Sequence, residues 1–309
     1  MDKPYLGTGS TLSESWRTTG AATFSLQPKT GVTNPVILAA HVTDVTGMVE
    51  TDYVADPFIV KVDTTWYMFY EVTNTNRTKS VICYSTSADG VSWTYGAKCL
   101  GYTESTHNTL SYPFVFMVDG VWWMIPCSLD GKAKLYRAST FPTTWQYYGT
   151  IVTDVTNGVI DSSIFQYGGV FYLLVYNSTG TTCRLFYSDI LWNGDAWTEH
   201  PSSPILSGAA HSRPGGRPIV RTSAVDIYVQ DGVVRYGNKL RTFQLTNLSK
   251  TTCTVTELAS SPLLEGSAGV GDWNEYGMHQ LDRMDATLSV VDGYNSSGVY
   301  GIGLYEDVP

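Results

Sequence analysis

The stretch Asp56-Pro57-Phe58-Ile59-Val60, followed after a short turn by Trp66-Tyr67-Met68-Phe69-Tyr70, decides the fold because the chain writes it several times. It returns as Tyr112-Pro113-Phe114-Val115-Phe116 with Trp122-Trp123-Met124-Ile125, and as Asp161-Ser162-Ser163-Ile164-Phe165 with Phe171-Tyr172-Leu173-Leu174. Looser versions start at Arg213-Pro214-Gly215-Gly216 and at Gly277-Met278-His279. Each copy is a polar or turn residue, an apolar run, a Gly/Asp turn and an aromatic-rich run, the pattern of two strands joined by a hairpin. A strand-rich repeat of roughly fifty residues is the length of a propeller blade. Five copies predict an all-β, five-bladed β-propeller. In such a ring the starts of the innermost strands meet at the axis, so Asp56, Tyr112, Asp161, Arg213 and His279 are expected around one central pocket.

The intervening sequence supplies outer strands. Val81-Ile82-Cys83-Tyr84-Ser85, Lys134-Leu135-Tyr136-Arg137-Ala138 and Arg184-Leu185-Phe186-Tyr187-Ser188 alternate apolar and polar residues, as half-buried antiparallel strands do. No segment carries a helical period over three turns. At 309 residues the chain suffices for one closed domain, assigned to residues 34–309. Residues 1–33, rich in Thr, Gly and Ser, read as an N-terminal arm or a ring-closing segment.

A net charge of −9 with no polybasic run argues against nucleic acid and anionic membrane surfaces as partners. No apolar run has transmembrane length, so no membrane insertion is expected, and the compartment is left open. A monomer is expected. The five cysteines are widely spaced, without CxxC or Cys/His metal spacing, and buried structural thiols are the favoured reading of Cys83 and Cys183.

The runs Val54-Ala55-Asp56-Pro57-Phe58, Trp66-Tyr67-Met68-Phe69-Tyr70-Glu71, Leu110-Ser111-Tyr112-Pro113-Phe114, Ile160-Asp161-Ser162-Ser163, Arg213-Pro214-Gly215-Gly216-Arg217, Tyr236-Gly237-Asn238 and Met278-His279-Gln280-Leu281-Asp282 carry a family resemblance. Over residues 34–294 the chain resembles the N-terminal propeller domain of plant glucosamine inositolphosphorylceramide transferases and its stand-alone relatives. More distantly it is similar to the five-bladed hydrolases of glycoside hydrolase family 43 and its neighbours, families 32, 68 and 117. The resemblance implies a carbohydrate ligand, an oligo- or polysaccharide.

It also suggests roles. Asp56 matches the general base or nucleophile of the distant hydrolases, and Asp161 the Asp that orients their acid and adjusts its pKa. Glycoside cleavage needs one carboxylate across the sugar and one proton donor at the leaving oxygen. The family's fourth-blade Glu is replaced here by Arg213, which cannot donate a proton at neutral pH. A second family Glu, after Met-Ile-Pro, is replaced by Cys127. Glu71, which matches a family Glu, and His279, whose imidazole suits proton transfer, are the substitute acids. Arg213 and Arg217 would hold an anionic ligand group, with Tyr112, His211 and Asp282 as further substrate-binding candidates.

Each residue has a structural alternative. Asp56 can cap the turn before Pro57, Asp161 can bond the hydroxyls of Ser162 and Ser163, and Glu71 can be paired with an Arg or the sheet edge. His279 can instead bind water or a metal ion at the centre. No metal motif is present and no cofactor is expected, although the centre leaves room for a structural cation such as calcium. Trp66, Trp122, Trp123 and Tyr167 read as packing between blades. The pattern therefore points to a glycoside hydrolase-like protein. The competing classes are a non-catalytic glycan-binding module, or a substrate-positioning accessory domain of a glycosyltransferase. Two carboxyls in one pocket favour the enzyme, and one carboxylate with two arginines favours anionic glycan binding.

Overall fold

The computed structural model describes residues 9–15, 23–43, 51–101, 109–192, 197–267 and 269–308. Among these there is no α-helix, only a 3-10 turn at Ala39–His41, and no helix is long and apolar enough to cross a membrane. The strands form five sheets, the five blades of a β-propeller.

The first blade is Thr51–Val62, Thr65–Asn74, Ser80–Ser87 and Thr94–Leu100, paired in sequence order. The second is Ser111–Val118, Val121–Cys127, Lys132–Thr140 and Thr144–Thr153, with Leu12–Ser13 added beside its innermost strand. Ile160–Tyr167, Val170–Asn177 and Thr182–Ser188 build the third, and Val225–Asp231 with Lys239–Thr246 the fourth. The fifth runs Leu281–Arg283, Ser289–Tyr294 and Tyr300–Asp307, and its outer strand is Leu26–Pro28 from the other end of the chain. Of the segment 1–33, residues 1–8 and 16–22 lie outside the described residues.

Two-residue turns set the register of the inner hairpins. Asp63-Thr64, Asp119-Gly120 and Gly168-Gly169 separate the pairs Val62↔Thr65, Val118↔Val121 and Tyr167↔Val170. Asp63, Asp119 and all three glycines have positive φ, as tight hairpin turns that match strand twist require.

Each blade is apolar on both faces, and successive residues of one strand serve opposite neighbours. Phe69 packs with Val115, Trp122 and Met124 of the second blade, while Met68 and Tyr70 pack with Val290, Ile302 and Leu304 of the fifth. Leu173 faces Phe114 and Phe116, and Leu174 faces Ile227 and Val229. Tyr228 and Leu240 complete the ring against Leu281 and Val291. Trp122 and Trp123 are buried in these interfaces, as expected for packing residues. All five cysteines are free, and four are buried.

The blades also approach through backbone. Gly216 bridges Leu281 in parallel, and a Cβ at Gly216 would lie 2.1 Å from the Leu281 carbonyl oxygen. Gly216→Ala should therefore destabilise by about 1–3 kcal/mol through forced separation of the fourth and fifth blades. Gly120→Ala meets open space at φ +75° and should cost only the left-handed strain, about 1 kcal/mol. Urea unfolding compares the two, and equal losses would show that the interblade contact is not limiting.

Candidate active site

Three of the repeat starts share a backbone device. Asp56, Tyr112 and Asp161 have φ of 55°, 48° and 48°, and each sits where the register of its innermost strand slips. They are not the first residues of their strands but bulges within or near the start of them, and a bulge re-aims a side chain out of the strand's alternation. Holding a non-glycine residue there costs on the order of 1–3 kcal/mol, which the interblade packing must offset.

The result is a central cavity of about 280 Å³ lined by Asp56, Glu71, Arg213 and His279, with Tyr53, Tyr236 and Tyr300 among its walls. Tyr112 and Asp161, which the repeat phase also placed around it, are buried and do not line it. The Tyr112 backbone N–H donates to Asp56 Oδ2 at 3.2 Å, while its hydroxyl contacts Ser163 Oγ at 2.7 Å and accepts from the Gly216 N–H at 2.8 Å. Asp161, 1% exposed, accepts from Arg213 Nε at 2.5 Å and from Gln230 Nε2 at 3.4 Å, not from Ser162 or Ser163.

Arg217 and Asp282 belong elsewhere. Arg217 is buried, its Nε 3.1 Å from Asp282 Oδ1, with further bonds to Glu14 and the Val115 carbonyl. Asp282 also accepts from the Ile59 N–H at 2.9 Å. The pair is a buried tie between blades and Arg217 does not line the cavity, so the expectation of two arginines on one ligand is corrected to one. His211 packs near Phe243 and does not line the cavity either.

One organising residue escaped the sequence reading. Asp292 Oδ2 accepts from the Asp56 N–H at 3.1 Å, and its Oδ1 accepts from the backbone N–H groups of His279 and Gln280. The same Oδ1 lies 2.8 Å from His279 Nδ1, and His279 Nε2 lies 3.6 Å from Asp56 Oδ1. A carboxylate inside the apolar run Val290-Val291-Asp292-Gly293-Tyr294 was the available signal, because a buried charge demands partners. Tyr53 and Tyr300, whose rings lie 4.9 Å apart, left no comparable mark.

These contacts set the protonation states. Burial alone would push His279 down, but Asp292 and then Asp56 outweigh it and lift the imidazole to about 9. Burial drives Asp56 well above the usual carboxylate range, opposed by the His279 imidazolium and reinforced by Asp161 and Glu71. Glu71 is lifted by burial to about 7, against hydrogen bonds from the hydroxyls of Thr73 and Ser80. Its partners are those hydroxyls rather than an arginine. Burial also raises Tyr53, Tyr236 and Tyr300, so all three are neutral phenols near pH 7.

Asp56, His279 and Asp292 offer ligand atoms within 4.8 Å of one another and are the residues that could hold a cation. Asp292 Oδ1 already accepts two backbone N–H groups, which limits what it can offer a cation.

The Glu71 shift has a stability consequence. Its folded pKa of about 7 exceeds the ordinary glutamate value of 4.5, so the protonated form favours the fold. That contribution is complete below about 4.5 and is lost as pH rises through about 7. Glu71→Gln, which keeps an acceptor for Thr73, should gain on the wild type over this window by up to about 3 kcal/mol. Urea unfolding at pH 4.5 and pH 8 reads the difference, and a gain independent of pH would contradict the shift.

Comparison with known proteins places this geometry in context. Residues 15–293 match the family model of the N-terminal domain of glucosamine inositolphosphorylceramide transferase 1. The Arabidopsis thaliana protein of that name is 30% identical over 275 residues, covering 85% of this chain and 34% of the relative. The one from Oryza sativa subsp. japonica is 28% identical over 278 residues, covering 85% and 36%. The chain thus spans about a third of the length of these curated relatives. An α-L-arabinofuranosidase of Podospora anserina, solved with cellotriose, shares the fold at TM-score 0.60 and 13% identity, covering 94% of this chain and 99% of that one. An exo-β-1,3-galactanase of Phanerochaete chrysosporium, solved with β-1,3-galactotriose, does so at TM-score 0.57 and 16% identity, covering 87% and 63%. By the match across nearly its whole length, the chain belongs to the family of the glucosamine inositolphosphorylceramide transferase 1 N-terminal domain.

Proposed function

We propose that this propeller cleaves a glycosidic bond in its central cavity, with Glu71 as proton donor and Asp56 as the opposing carboxylate. The observation that carries the reading is that both carboxyls line one cavity, the arrangement glycoside hydrolysis requires. Glu71, half protonated near neutrality, gives its proton to the departing oxygen. Burial favours the protonated form of Asp56, and the His279 imidazolium opposes it; in the charged form so stabilised, Asp56 acts at the anomeric carbon or on its attacking water. Arg213 is bonded through Nε to Asp161 and presents its remaining nitrogens to ligand hydroxyls. The glycosidases that share the fold support a carbohydrate in this position.

A second reading follows from Arg213. The fourth-blade position holds a guanidinium clamped by Asp161 where a hydrolase of family 43 has its acid, and the curated relatives are named as transferases. On that reading the domain recognises or positions a glycan for a transferase and performs no chemistry.

Release of reducing ends from a polysaccharide panel separates the two. Asp56→Asn keeps size and removes charge, and should lower turnover at least ~10²-fold with binding retained. Glu71→Gln should impair substrates with poor leaving groups far more than activated aryl glycosides. Wild-type activity should fall as pH rises through about 7, where Glu71 loses its proton. Undiminished turnover by Asp56→Asn overturns the assignment, and binding without any release favours the recognition module.

A further inference from the structure

The central cavity shares a wall residue with a second space. A crevice of about 440 Å³ opens between the second and third blades, bounded by residues 129–131, 155–160 and 178–179. Leu129 lines both spaces. It is 51% exposed, and its φ of 52° lies in the left-handed region, a genuine outlier for a bulky side chain. Backbone strain of this kind persists only where the surroundings fix it.

The surroundings do fix it. Ser128 Oγ donates to Asp130 Oδ1 at 2.7 Å, and Lys134 pairs with Asp130 at 2.6 Å. Gly131 accepts from the Asp154 N–H at 2.8 Å, and a Cβ on Gly131 would lie 2.6 Å from Val155 Cα. Asp154 in turn accepts from Asn157 and from Arg184. The crevice is therefore preformed, and its charged groups already have partners. Its wall combines Leu129 and Val155, the latter 70% exposed, with Asn157, Ser178 and Thr179. Apolar faces beside amide and hydroxyl groups suit a neutral sugar ring, which has apolar C–H faces and a polar edge.

Arg77, another residue of the cavity wall, is tied down. Arg77 Nε bonds Asp52 at 3.0 Å and its NH2 bonds the Gly298 carbonyl at 3.2 Å, strapping the first blade to the fifth. Leu129, which lines both spaces, is the direct link from the cavity to the crevice.

We infer that the crevice is a second sugar subsite, continuous with the central cavity, and that Leu129 is the specificity-determining residue between them. The ligand is an oligosaccharide of at least two units, with its terminal residue in the cavity and a neutral residue in the crevice. This inference rests on the glycan reading of the cavity but requires neither Glu71 nor Asp56 to perform chemistry.

The test is calorimetric titration with a panel of neutral mono-, di- and trisaccharides built from hexoses, pentoses and N-acetylhexosamines, on wild type, Leu129→Gly and Val155→Ser. Glycine accepts positive φ, so Leu129→Gly should melt no lower than wild type. A purely structural Leu129 would then leave binding untouched. The expected result is at least tenfold tighter binding of a di- or trisaccharide than of its terminal monosaccharide by the wild type. That ratio should fall at least fivefold in Leu129→Gly and measurably in Val155→Ser. Equal affinity for mono- and trisaccharide, or a ratio unchanged in Leu129→Gly, overturns the subsite and leaves the central cavity's reading standing. Wild type that binds no member of the panel overturns the glycan reading, and the subsite with it.

Discussion

Every blade must bury two apolar faces, and no single sheet can do so alone. Met68 and Phe69 are adjacent in one strand, yet one packs against the fifth blade and the other against the second. The period of two in a strand imposes this, and closing the ring is the arrangement that leaves no face uncovered. All else in the molecule depends on that closure. It supplies the packing that holds the three positive-φ residues of the inner strands, and it brings together side chains more than two hundred residues apart, such as Asp56 and Asp292.

The centre is organised by charge rather than by packing. Two arginines that look equivalent in Arg213-Pro214-Gly215-Gly216-Arg217 have opposite fates. Arg213 keeps part of its guanidinium at the cavity while Asp161 anchors Nε, whereas Arg217 is consumed by Asp282, Glu14 and a backbone carbonyl. Burying either without its carboxylate would cost several kcal/mol. Asp292 plays the corresponding part for His279, fixing both its backbone and its charge. The cavity thus presents an imidazolium, a guanidinium and two carboxyls, both raised by burial, Glu71 to about 7.

Arg213, at the start of the fourth blade, is part of this balance. Asp161 has a permanent cation as its neighbour, whereas Glu71 on the first blade has hydroxyl partners.

Much of this was written in the sequence. The repeated polar start, apolar run, Gly/Asp turn and aromatic run specify strands, hairpins and their number, because strand alternation and tight-turn chemistry are local properties. The repeat phase also marked Asp56, Arg213 and His279, which line the cavity, and Glu71 stood out by resemblance. The sequence could not say that Tyr112, Asp161 and Arg217 are buried and do not line the cavity. Nor could it show that Asp292 holds His279, or that Leu129 stands between two spaces. Those outcomes depend on where bulges re-aim side chains and on which charges meet across blades. Such pairings join residues distant along the chain, and only the closed ring decides them.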